Sequence, residues 1–173
     1  QVSFSWVSTL CVAARFHFSE LTGDMGIAHS RWATHGAPSR ENAHPHQDCT
    51  ASIALVHNGI VENYAELRDE LYYKYGYKFR SETDTEVIVN LISHYYMNES
   101  SKSSEGTYCA EGTNEGTNEG TNVVTSICKA LARIRGTYAL AILCIDTPDT
   151  LYCVRHGSPL LIGMSEDSST TMI

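Results

Sequence analysis

Apolar residues recur on a helical period in three stretches of the chain. From Glu62 to Tyr72, Leu67 and Leu71 share one face, Asn63 offers an N-cap with Glu66 three residues on, and Gly76 ends the unit. From Thr85 to Met97, Val87, Ile88, Leu91, Ile92 and Tyr95 form a stripe, with Thr83 and Glu86 as a capping box. A third helix is predicted from Val123 to about Arg133, with Val124, Ile127, Cys128 and Leu131 inward and Gly136 as its stop.

Strand patterns flank these helices. Gly26 to Thr34 alternates, and Gly36, Pro38 and Ser39 end it. Ile53 to Val56 reads as a short buried strand running into His57-Asn58-Gly59, where Asn-Gly predicts a tight turn. Thr137–Ile145 and Thr150–Arg155 form a hairpin through Thr147-Pro148-Asp149, and Leu160-Leu161-Ile162 begins another strand. Residues 98–122 are polar, and Glu-Gly-Thr-Asn occurs three times in tandem from Glu111 to Asn122. A four-residue polar repeat cannot bury a face, so a surface insertion is expected there. Hairpins imply antiparallel sheet, and amphipathic helices must cover it; a layered α+β domain follows.

Composition narrows the function. The 173 residues are 42% hydrophobic and carry a net charge of −8, which suits one folded domain and argues against a nucleic-acid or anionic-membrane surface. No apolar run reaches the length of a membrane span. Cys11, Cys49, Cys109, Cys128, Cys144 and Cys153 stand singly, with no CxxC pair. That spacing predicts free thiols, several of them buried, in a reducing compartment, rather than disulfides or a zinc site.

Five of the eight histidines lie between His29 and His57. A metal site would centre on His44-Pro45-His46. Proline there implies extended backbone with the two imidazoles on opposite faces, and no cysteine or carboxylate stands at ligand spacing, so no metal is expected. An acyl-transfer site accounts for more. Arg31 suits a bidentate clamp on a carboxylate, the Asn58 amide and Gly59 N–H could form an oxyanion hole, and Asp84 could take an ammonium. Those groups together suit an α-amino acid with a reactive side-chain carbonyl. Taken one at a time, Asn58-Gly59 also reads as a mere turn, Asp84 as a helix-capping carboxylate and Trp32 as core.

Longer blocks decide between these. Gly26-Ile27-Ala28-His29-Ser30-Arg31-Trp32-Ala33-Thr34-His35-Gly36 resembles the glutamine-binding segment of the class II, N-terminal-nucleophile glutamine amidotransferases. The resemblance continues through Asn42 to His46, Ile53 to Tyr64, Gly76 to Ile88, Leu131 to Ile145 and Arg155 to Gly163. Arg-Trp together with Ser81 to Glu86 (SETDTE) is most similar to the family that aminates fructose 6-phosphate. The resemblance implies a four-layer αββα sandwich of two antiparallel sheets, incomplete at the N-terminus. It implies an unmatched leader at 1–24, a glutaminase domain at 25–163 interrupted at 98–122, and a tail at 164–173.

Roles follow from the same resemblance. Arg31 binds the glutamine α-carboxylate, Trp32, Thr34 and His35 line the pocket, His44 supports its wall, Asn58 and Gly59 form the oxyanion hole, and Asp84 holds the α-ammonium. No cofactor is implied. The implied partners are glutamine and sugar-phosphate isomerase domains that use fructose 6-phosphate and carry the contacts of a homo-oligomer, in the cytoplasm, with neither nucleic acid nor membrane. The family's nucleophile, a mature N-terminal cysteine followed by Gly-Ile, has no counterpart here: Gln1 stands first, and Val-Ala-Ala follows Cys11. The chain by itself is therefore expected to lack glutaminase activity, and a glutamine-binding or interaction module is the alternative reading. A class II amidotransferase with another acceptor fits the SETDTE block less well.

Overall fold

The computed structural model describes residues 25–30, 36–102, 119–164 and 171–172. Four antiparallel strands form one sheet in the order β1 (His46–Gln47), β2 (Ile53–Val61), β3 (Gly136–Cys144), β4 (Leu151–His156). Helices α1 (Tyr64–Tyr75), α2 (Asp84–Lys102) and α3 (Glu119–Leu131) cover one face. A separate pair, β5 (Gly163–Met164) and β6 (Thr171–Met172), is also antiparallel. The fold is α+β, with a helical layer on an antiparallel sheet.

Strand alternation places the core. Ile53, Leu55 and Val61 of β2, Leu140, Ile142 and Cys144 of β3, and Tyr152 and Val154 of β4 face the helices. They meet Leu67 and Leu71 of α1, Val87, Ile88, Leu91 and Ile92 of α2, and Val123, Ile127 and Ala130 of α3. Burial of Cys144 pushes its thiol above the ordinary cysteine range, so it behaves as a small core side chain. The opposite face is apolar too: Ala54, Val56, Ala139 and Leu143 are buried. Burial on that face fades toward Asn58, Ile60 and Arg155, which are exposed.

Several elements differ from the sequence reading. No turn forms at Asn58-Gly59. Strand β2 runs straight through it, pairing Asn58 with Ala139 and Gly59 with Tyr138. Gly59 holds φ 138°, and a Cβ there would lie 2.1 Å from the Thr137 carbonyl oxygen. The glycine serves close strand approach rather than chain reversal. Gly136 likewise opens β3 instead of capping α3, with φ 122° and the Ile60 carbonyl oxygen 2.1 Å from where a Cβ would sit.

Asn63 makes no side-chain cap on α1. Its amide donates to the Arg133 carbonyl at 2.9 Å and accepts from Arg135 N–H at 2.8 Å, tying α1 to the approach to β3. At Gly76 the expected stop is present, with Gly76 N–H bonded to Tyr72 and Tyr77 N–H to Leu71. Helix α2 runs on to Lys102 and α3 begins at Glu119, so both ends of the 98–122 stretch are helical. Residues 103–118 lie outside the described residues, as do Cys11 and Cys109.

On α3 the buried stripe is Val123, Ser126, Ile127 and Ala130, whereas Val124 and Cys128 are exposed. The inward face is rotated because Ser126, whose hydroxyl bonds the Asn122 carbonyl at 2.7 Å, occupies an inward position. Cys49 is exposed as well, so only Cys144 of the four described thiols is fully buried. Leu161 and Ile162 are exposed and unpaired in any strand. Residues 25–30 form no strand beyond an isolated bridge residue at His29, and 31–34 lie outside the described residues.

Candidate functional site

The chemistry-bearing residues gather where β2 meets the start of α2. Asp84 opens α2 and is buried; its Oδ2 accepts Val61 N–H at 2.9 Å, three residues along β2 from Asn58. A carboxylate at this end of a helix is favoured by the helix dipole. Thr83 accepts the Glu86 N–H at 3.3 Å, one half of the expected capping box. The Glu86 carboxylate does not return to Thr83. It takes Arg80 N–H at 2.9 Å, Ser81 N–H at 2.7 Å and the Ser81 hydroxyl at 2.6 Å. Three donors on one buried carboxylate fix the loop ahead of α2.

Four histidines converge on this helix start. His44 Nε2 lies 2.9 Å from Thr85 Oγ1, and His46 Nε2 lies 3.0 Å from Thr83 Oγ1. His57 Nδ1 lies 3.2 Å from the same Thr85 hydroxyl and 3.9 Å from Asp84 Oδ1. His44 Nδ1 meets His29 Nδ1 at 3.1 Å, and His29 Nε2 meets Asn58 Oδ1 at 2.6 Å. The expectation that His44 and His46 point to opposite faces is corrected. Their rings stand 5.1 Å apart, edge to face, because two threonine hydroxyls on one helix turn draw both inward. The intervening His44–Pro45 peptide is cis. Among the described residues no group of three His, Cys, Asp or Glu side chains is arranged to hold a metal ion.

Of the residues singled out from sequence, the structure brings together His44, Asn58, Gly59 and Asp84. His44 and Asp84 are buried, Asn58 is exposed, and Gly59 is half-buried between them on β2. Arg31, Trp32, Thr34 and His35 lie outside the described residues. Sequence reasoning missed Thr83, Thr85 and Glu86 as site-building groups and gave His29 and His57 no role. The density of histidines was the available signal. Their partners, hydroxyls two residues apart at a helix start, carry no signature of their own.

Asp48 and Asn90 extend the frame. Asp48 accepts Ile53 N–H at 2.8 Å and the Ser93 hydroxyl at 2.7 Å, and Asn90 bonds Cys49 N–H at 3.2 Å. The loop between β1 and β2 is thus pinned to α2. An exposed amide at the end of a chain of bonded histidines, beside a glycine, can present donors to a developing negative charge.

A strand carrying His-Asn-Gly meets a helix opening on Asp-Thr-Glu beside an antiparallel sheet, and residues 29–121 match the family model of the glutamine amidotransferase domain. The chain belongs to that family. Over 155 residues it is 46% identical to the glutamine–fructose-6-phosphate aminotransferase (isomerizing) of Pyrobaculum aerophilum, covering 90% of this chain and 22% of that protein. It is 49% identical over 149 residues to the enzyme of the same name from Thermococcus kodakarensis, covering 86% and 21%. A solved glutamine phosphoribosylpyrophosphate amidotransferase from B. subtilis aligns over 68% of this chain and 20% of its own, at 25% identity and a TM-score of 0.43. The chain spans about a fifth of the length of the curated relatives it matches. No helix among the described residues is long and apolar enough to cross a membrane.

Proposed function

We propose that this chain is the glutamine-binding, ammonia-releasing part of an enzyme that converts fructose 6-phosphate and glutamine to glucosamine 6-phosphate and glutamate. The observation that carries the reading is Asn58, held on an exposed step of β2 by His29 at 2.6 Å and next to a glycine where a Cβ would meet the Thr137 carbonyl. In this reading the Asn58 amide and Gly59 N–H stabilise the oxyanion formed on the glutamine side-chain carbonyl. Arg31 clamps the α-carboxylate, Asp84 takes the α-ammonium, and Trp32, Thr34, His35 and His44 shape the pocket. The attacking thiol and the sugar-phosphate chemistry belong to other parts of the full-length protein. Those parts are also where a homo-oligomer would form. The relatives' shared name and the matched SETDTE block support fructose 6-phosphate as the acceptor, and single free thiols support a reducing, cytoplasmic setting.

Binding of L-glutamine tests this without requiring turnover. Titration calorimetry on the chain should show a saturable site for L-glutamine, weakened roughly 10–100-fold by Arg31→Ala, the loss expected for hydrogen bonds to a charged group. Absence of a site at millimolar L-glutamine, or equal binding by Arg31→Ala, overturns the reading.

A further inference from the structure

We infer that His29 is a positioning residue that carries its proton on Nε2 and thereby turns the Asn58 amide nitrogen outward. The inference rests on the proposed role of Asn58. It follows from the bookkeeping of donors along one chain of contacts. The chain runs from Thr85 Oγ1 to His44 Nε2 (2.9 Å), from His44 Nδ1 to His29 Nδ1 (3.1 Å), and from His29 Nε2 to Asn58 Oδ1 (2.6 Å).

A neutral imidazole has one donor nitrogen and one acceptor nitrogen. With both rings neutral, choosing the donor at one contact fixes every other. Two polarities exist. In the outward one, Thr85 O–H donates to His44 Nε2, His44 Nδ1–H donates to His29 Nδ1, and His29 Nε2–H donates to Asn58 Oδ1. In the inward one, the Asn58 amide nitrogen donates to His29, His29 to His44, and His44 to Thr85, whose hydroxyl proton then goes to His57 Nδ1 or Asp84 Oδ1.

One distance selects the outward chain. At 2.6 Å the Asn58 contact is already short for N–H···O, and an N–H···N pair with its larger acceptor would stand farther apart. Thr85 Oγ1 lies 2.9 Å from His44 Nε2, a distance at which its hydroxyl donates to the ring in the outward chain. In the outward chain His57 Nδ1, 3.2 Å away, can donate to the lone pairs that the hydroxyl leaves open. The Asp84 carboxylate keeps its bond from Val61 N–H at 2.9 Å.

The consequence for Asn58 is geometric. Its oxygen is committed to His29, so both amide N–H groups lie on the side away from the histidines. An oxyanion needs that orientation; the flipped amide would offer it an oxygen. Donor orientation thus reaches the surface from a hydroxyl on the first turn of α2, through two imidazole rings whose centroids are 4.4 Å apart and whose planes are tilted by 57°.

The test is the tautomer of His29 and His44, read by long-range proton–nitrogen correlation on the full chain labelled with ¹⁵N-histidine at neutral pH. His29→Gln and His44→Gln assign the signals. We expect His29 protonated on Nε2 and His44 on Nδ1, the less common form in water. Thr85→Val, which keeps the shape but removes the proton, should move His44 toward the Nε2–H form. His29 protonated on Nδ1, or His44 on Nε2 in the unaltered chain, overturns the inference. If Thr85→Val does not fold, the spectrum of the unaltered chain decides. If the expected tautomers appear but L-glutamine does not bind, the functional reading fails and the amide orientation stands. If L-glutamine binds and the tautomers are reversed, only this inference fails.

Discussion

Helices α1 and α2 belong to one layer yet treat polar side chains in opposite ways. On α1 only Leu67 and Leu71 are buried, while Glu66, Asp69, Tyr72, Tyr73 and Lys74 face water. The first three turns of α2 are buried on every side, and Asp84, Thr85, Glu86, Asn90 and Ser93 go in with the apolar residues. Each of these five is hydrogen-bonded to another segment or to its own helix. A buried polar group must be satisfied or it costs stability, so every such residue on α2 also fixes whatever it bonds. α1 is a cover; α2 is the frame on which the site loops hang.

Three substitutions sharpen that contrast. The largest effect is expected at the strand the frame supports. Gly59→Ala forces a Cβ to 2.1 Å from the Thr137 carbonyl oxygen at a φ of 138°, and should cost at least about 3 kcal/mol in urea unfolding. A loss under ~1 kcal/mol would mean that the strands separate easily and that the glycine is not needed for their approach. Next, Glu86→Ala strands Arg80 N–H, Ser81 N–H and the Ser81 hydroxyl and should cost about 2–3 kcal/mol. A neutral outcome would place α2 in the same class as α1.

The smallest effect is expected on α1. Glu70 pairs with Arg133 and, at 3.8 Å, with Lys74. The hydrogen bond from Arg133 holds the Glu70 carboxyl below its ordinary value of 4.5. A depressed carboxyl stabilises the fold above its unfolded value and loses that contribution as pH falls through the folded one. Glu70→Gln should therefore cost less than about 1 kcal/mol at neutral pH, and the difference from the parent should close below pH ~4. A difference that grows on acidification would reverse the assignment.

Much of the frame was legible from sequence, and the misses share a cause. The stripes of α1 and α2 and the β3–β4 hairpin were readable because each is set by residues close together in the chain. Asn58-Gly59 was misread as a turn because the need for glycine arises from the Thr137 carbonyl, on a strand far along the chain. Asn63 failed as a cap because Arg133 and Arg135 compete for its amide. The face of α3 was displaced because Ser126, polar by type, is buried. His44, Asn58, Gly59 and Asp84 were singled out by chemistry and resemblance together, and the structure places them around one helix start. Thr83 and Thr85 were not, because a hydroxyl that organises histidines looks like any helix-capping threonine until their distances are known.

The boundary of α3 bears on how the chain can change over generations. The last of the three Glu-Gly-Thr-Asn units, residues 119–122, is the first turn of α3, and buried packing begins at Val123. The units are identical in sequence. Whichever copy stands last will supply that turn, and its four residues are close to one helical period. Slippage during replication, adding or deleting whole units, would lengthen or shorten the chain upstream while presenting Val123, Ile127 and Ala130 to α2 unaltered. A change in repeat number would therefore leave the residues of the first turn of α3 the same.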